Sequence, residues 1–238
     1  MVRFPLARLL PPFVARATKS GNRLCFHMDP IGWNIVVAGA WNRAILTPGW
    51  VAETVFELPR GSPVEVVVAV DAFIPFQVRH DGLGITTASG RLTLEIDTPS
   101  VPNLARALQA VHRTIVALPR TPIRACGINI RYSAPEVPQR LIANTRCPSE
   151  SLLPESGREL KMRRRGESVA FQEGMLNIIA DLPVAGPCEL KFNFDRQCVT
   201  HEDALGWLGK GAPAFTEEAE RVLQLLTAEE ETNAARNQ

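Results

Sequence analysis

The chain has 238 residues, of which 45% are apolar and 21% charged, with a net charge of +1. That is ordinary for a soluble globular chain, suits one large domain or two small ones, and argues against strong non-specific binding to nucleic acid or a membrane. No run of 18 apolar residues is present, so no transmembrane helix is expected.

The first twenty residues carry Arg within an apolar stretch that Pro5, Pro11 and Pro12 interrupt. They lack a continuous hydrophobic signal segment and are expected to be a loosely attached arm, residues 1–20. A strand-rich α+β unit is expected over residues 21–133. Leu24, Phe26 and Met28 alternate with polar residues, and Asn34 to Ala40 are nearly all apolar or small, as in a central strand. Thr47-Pro48 opens a short helix to about Phe56. Alternation from Val64 to Val70, from Ile74 to Val78 and from Leu92 to Ile96 predicts half-buried strands, with turns at Asp81-Gly82 and Ser89-Gly90.

The clearest local code runs from Ser100 to Tyr132. Leu104, Leu108, Val111, Ile115 and Leu118 form one helical stripe; Ser100 caps it and Pro119 ends it. Cys126, Ile128, Ile130 and Tyr132 then alternate as one face of a strand, and the helix is expected to pack on that face. The bare Gly127 suggests a close approach or a bulge.

Residues 134–157 are rich in Pro, Ser and charge and read as a linker. A smaller α+β unit is expected over residues 158–228, with a basic strand from Leu160, a hairpin turn at Glu173-Gly174, an alternating strand from Cys188 to Asp195 and a helix from about Pro213 to Thr227. Residues 229–238 read as a frayed tail. The predicted fold class is α+β: mainly antiparallel sheets covered on one side by helices. The order strands-then-helix occurs in both halves, which allows two similar α+β units.

The pieces at 41–51, 90–94 and 117–132 carry a resemblance. Leu118, Pro119, Thr121, Pro122, Ala125, Gly127 and Asn129 match a Leu-Pro-x-Thr-Pro-x-x-Ala-x-Gly-x-Asn segment. In this the chain resembles a loosely defined group of uncharacterised bacterial proteins. The resemblance covers at most the first 135 residues, with a vaguer similarity near Asp195, and implies no activity.

Chemistry is thinly signalled. Asp181, with Glu189 and Lys191 two apart on one strand face, is similar to the Glu-x-Lys element of metal-dependent nucleases, where carboxylates hold Mg²⁺ and a lysine positions water. The wet face of an ordinary strand carries the same residues. Lys161, Arg163, Arg164 and Arg165 form a basic stretch that could meet a polyanion, or a charged strand guarding a sheet edge. Cys198 and His201 have metal-ligand spacing, yet a second tight pair is lacking beyond Cys25 and His27. Trp33, Trp41 and Trp50 suit either an interface or a core.

No phosphate-binding glycine loop or nucleophile elbow is present, and no cofactor is implied. Five widely spaced cysteines favour reduced thiols and a cytoplasmic setting. The function expected is a non-catalytic binding or assembly protein with a protein partner or a second copy of itself, and no membrane role. The alternative is a metal-dependent phosphodiester-cleaving enzyme or a nucleic-acid binder.

Overall fold

The computed structural model describes residues 27–68, 75–147, 150 and 157–227. Among these residues nine strands build one antiparallel sheet. In chain order they are β1 (Asp29–Gly39), β2 (Glu65–Val67), β3 (Gln77–His80), β4 (Leu83–Ala88), β5 (Arg91–Ile96), β6 (Ile123–Ala134), β7 (Met162–Phe171), β8 (Gly174–Pro183) and β9 (Cys188–Gln197). In space the order is β2-β3-β4-β5-β1-β6-β9-β8-β7.

The helices are α1 (Pro48–Trp50, continuing as a wide π turn through Val51–Val55), α2 (Val101–Ala117), α3 (Gln139–Thr145), α4 (His201–Leu208) and α5 (Ala212–Thr227). Among the described residues no helix is long and apolar enough to cross a membrane.

Local chemistry explains most boundaries. Ser100 Oγ accepts from the Asn103 amide at 3.3 Å and starts α2, and Thr47 does the same for α1 through Trp50. The guanidinium of Arg113 donates to the Val55 carbonyl at 2.9 and 2.6 Å, satisfying a carbonyl that the π turn leaves open. Asp81 and Gly82 both have positive φ, 46° and 75°, as a tight β3–β4 hairpin needs. The β7–β8 turn falls on Gln172-Glu173, one residue before the expected position, with Gln172 at φ 52°. Gly174 must open β8 because a Cβ there would lie 2.4 Å from the Asp195 carbonyl oxygen.

The two halves share one sheet, and the stretch expected to be a linker, 134–157, contains α3 between β6 and β7. The join is β6 against β9, with Ile128 opposite Phe194 and Ile130 opposite Phe192. Both strands bury these alternate residues on the same side, so pairing them extends one dry face rather than making two. Helix α2 covers that face chiefly over β5 and β1, not over β6 as the sequence suggests, while α5 lies over β6 and β9. Leu104, Val111 and Ile115 are fully buried there. Phe171, Phe194, Trp207 and Phe215 meet edge-on or tilted, with centroids 5.0–6.1 Å apart, and close the core under α4 and α5. Helix α4 was not expected. Its start is written in a capping box, Thr200 with Asp203.

The regions 1–20 and 229–238, and Cys25, lie outside the described residues.

Candidate functional site

Among the described residues, helices cover one face of the sheet and leave the other open. The other face carries the chemistry, and the pleat places it: Asn34, Asn129, Asn193 and Asn177 alternate with buried or partly buried neighbours on β1, β6, β9 and β8. They are register partners across four strands, and Ser168 on β7 continues the row. Side chain bonds to side chain all the way. Asn129 donates to Asn34 at 2.7 Å, Asn193 to Asn129 at 2.6 Å, Asn177 to Asn193 at 3.2 Å, and the Ser168 hydroxyl to Asn177 at 2.7 Å. Each amide between the ends both gives and accepts, so the row is a chain of polarised bonds. On the far side Glu95, opposite Asn34, accepts from Gln77 at 2.8 Å. Gln77 reaches it across Gly84, where a Cβ would lie 2.8 Å from the Gln77 amide nitrogen.

Beside the row lies a lattice of charge. Arg131 meets Glu189 at 2.8 Å, and Lys191 Nζ sits 3.4 Å from Glu189 and 2.5 Å from Asp181. Arg164 closes the series on Asp181 at 2.5 Å. Asp181 and Glu189 face each other in register on β8 and β9. The two carboxylates therefore converge, and the ammonium of Lys191 contacts both. The Arg164 guanidinium, with Lys191 against burial, holds the Asp181 carboxyl down at about 2. Arg131, with help from Lys191, lowers Glu189. Both carboxylates stay ionised, which suits ligands or ion-pair partners and not proton donors.

The basic stretch is paired throughout. Arg163 makes a two-pronged contact with Glu150 at 2.9 and 2.8 Å, Lys161 meets Glu159 at 2.5 Å, and Arg165 bonds Glu167 and, at 2.5 Å, the Asn144 carbonyl. Three carboxylates stand against the three arginines, which removes most of the local excess of positive charge.

The remaining candidates separate. Cys198 neighbours Cys126; that thiol and burial push Cys126 up. The His201 ring turns away to the Thr121 carbonyl at 2.5 Å. Among the described residues no group of three or more His, Cys, Asp or Glu side chains is placed to hold a metal. Trp33 and Trp41 are 4% exposed, and their ring N–H groups donate to the Arg131 and Val37 carbonyls. Buried this way they fill the core of the chain and present no free surface; Trp50 packs half-buried against it.

A concave part of the open face lies elsewhere. A shallow hollow of about 400 Å³ is lined by Asn34, Asn129, Thr86, Thr93, Arg91 and Glu95, among others, over β4, β5, β1 and β6. Asp181 and Glu189 are not in its wall. The amide row escaped the sequence reading because its members lie 16 to 95 residues apart. Only the parity of each Asn within its strand was visible. No protein-family profile matches the chain, and no curated protein matches it.

Proposed function

We propose that the protein is a non-catalytic binding or assembly protein whose working surface is the uncovered face of the sheet. The observation that carries this is the unbroken amide row from β1 to β7 with its flanking ion pairs. Strands stand roughly 4.8 Å apart, so nine of them give a surface about 40 Å across. That breadth fits a macromolecule: a stable protein interface takes roughly 800 Å² from each partner. A polar, pre-ordered surface loses little side-chain entropy on docking and fixes register through its donors and acceptors. The partner is a protein, since the basic strand's charges are already answered by carboxylates.

One observation favours a second reading. Asp181 and Glu189 face each other beside Lys191, and Mg²⁺ is commonly held by one or two carboxylates plus substrate phosphate. A metal-dependent phosphodiesterase would need the ion to displace the Lys191 ammonium. The pair also lies outside the hollow, on a broad face that does little to exclude water.

The test is paired affinity capture from the native host, wild type against Asn129→Lys with Asn193→Lys. The expected result is a partner retained by wild type and lost by the variant, while the variant still unfolds cooperatively at a modestly lowered melting temperature. Identical captured proteins would contradict the reading.

A further inference from the structure

Among the described residues the sheet ends in two unequal edges. Strand β2 is three residues long, a short edge of the kind that resists pairing. Strand β7 is ten residues long, without a bulge, its register with β8 unbroken from Met162 to Phe171. Among the described residues no strand pairs with its outer side. The Val184 amide donates to the Lys161 carbonyl at 3.0 Å, which sets the parity of the ladder. Odd-numbered residues turn their backbone groups toward β8; Met162, Arg164, Gly166, Ser168 and Ala170 turn theirs outward. These five residues are exposed.

Such an edge is commonly defended by charged side chains that face solvent. Here the defence is spent within the chain: Arg163 on Glu150, Arg164 on Asp181, Arg165 on Glu167. We propose that β7 pairs antiparallel with β7 of a second copy of this chain, about a twofold axis at Gly166, giving one continuous sheet twice as wide.

The sequence of the strand selects partner and register. About Gly166, Arg165 faces Glu167 of the second copy, twice over, while Arg164 faces Ser168, Arg163 faces Val169 and Met162 faces Ala170. No like charges oppose one another. Moving the axis to Arg164 would set Arg164 against itself and Arg163 against Arg165, which like-charge repulsion disfavours. Gly166 has no side chain to obstruct the axis, and a Cβ there would meet nothing within 4 Å. All five outward residues then give and take a hydrogen bond across the new ladder, and the open polar face continues from one copy to the other. This surface is separate from the open face proposed for a protein partner, and either can fail without the other.

Sedimentation equilibrium of the purified full chain across a concentration series tests the pairing. Wild type is expected to dimerise. Gly166→Pro removes the outward N–H at the axis on an edge where proline is otherwise tolerated, and should be monomeric at concentrations where wild type is dimeric. Arg165→Glu should also dissociate the dimer, and Arg165→Glu combined with Glu167→Arg should restore it, because the exchanged pair is again complementary across the axis. That rescue does not depend on how well the proline variant folds. A wild type that stays monomeric at its highest attainable concentration overturns the proposal. So does a dimer that ignores the Arg165→Glu substitution.

Discussion

The two faces of this sheet are built from the same strands and held by different physics. On the covered face each strand contributes residues such as Ile35, Leu94, Ile128 and Phe194, all fully buried, and order comes from shape and burial. On the open face the residues between them are half-buried amides and ions, each ordered by a hydrogen bond to a neighbouring strand. The first arrangement loses much when an atom is removed, because a void remains. The second loses little, because water can take the missing partner's place. Stability therefore resides on one face, which leaves the other free to be specific.

The largest expected effect lies on the dry face. Phe215 touches Phe171, Phe194 and Trp207, so Phe215→Ala should cost ~3–5 kcal/mol through the cavity it leaves, read as a shift in denaturant midpoint. A loss comparable to that of a surface substitution would mean that α5 is not anchored there.

Next comes acid. Asp181 is held down at about 2 from an ordinary 3.8, chiefly by Arg164. A depressed carboxylate stabilises the fold above its unfolded pKa. That contribution is lost as pH falls from about 4 to about 2. Allowing for the exposure of Arg164, it should amount to ~1–2 kcal/mol. Denaturant titrations across this range should show the slope in wild type and a shallower one in Asp181→Asn.

A smaller effect is expected from Asn129→Ala. It frees one acceptor on Asn34 and one donor on Asn193, both within reach of water, and should cost about 1 kcal/mol. A cost like that of Phe215→Ala would break the contrast between the faces. Least of all should come from Tyr132→Phe. The Tyr132 hydroxyl is buried with no hydrogen-bond partner among the described residues, and burial pushes it up to about 12. Removing it should leave the melting temperature unchanged or raise it slightly.

What was legible in the sequence was local. The Ser100 cap, the stripe from Leu104 to Ile115, the Asp81-Gly82 turn and the alternation from Cys188 to Asp195 each state their element within a few residues, and each element stands where it was expected. Helix α4 is equally legible through Thr200 and Asp203, although the neighbouring Cys198 and His201 also have the spacing of a metal pair. The pairing of β6 with β9 was not legible. It joins segments about sixty residues apart, and alternation says which face a strand buries without saying beside which strand. The amide row and the meeting of Asp181 with Glu189 are consequences of that pairing and of β8 against β9, so they too stayed hidden. Alternation alone leaves Asp181 and Glu189 apart on a solvated sheet; the β8–β9 pairing instead sets them opposite each other with Lys191 Nζ against both.

If the open face is a binding surface, those charges are committed to one another and not to a metal or a proton. The direct measurement is an NMR titration of the Asp181 and Glu189 side-chain carboxyl carbons, with and without Mg²⁺, followed by addition of Mn²⁺. The prediction is that both titrate below the usual carboxylate range, that Mg²⁺ leaves both unmoved, and that Mn²⁺ broadens neither selectively. A Mg²⁺-dependent shift of the two resonances together, with selective Mn²⁺ broadening at the pair, would show an ion displacing the Lys191 ammonium and would contradict it.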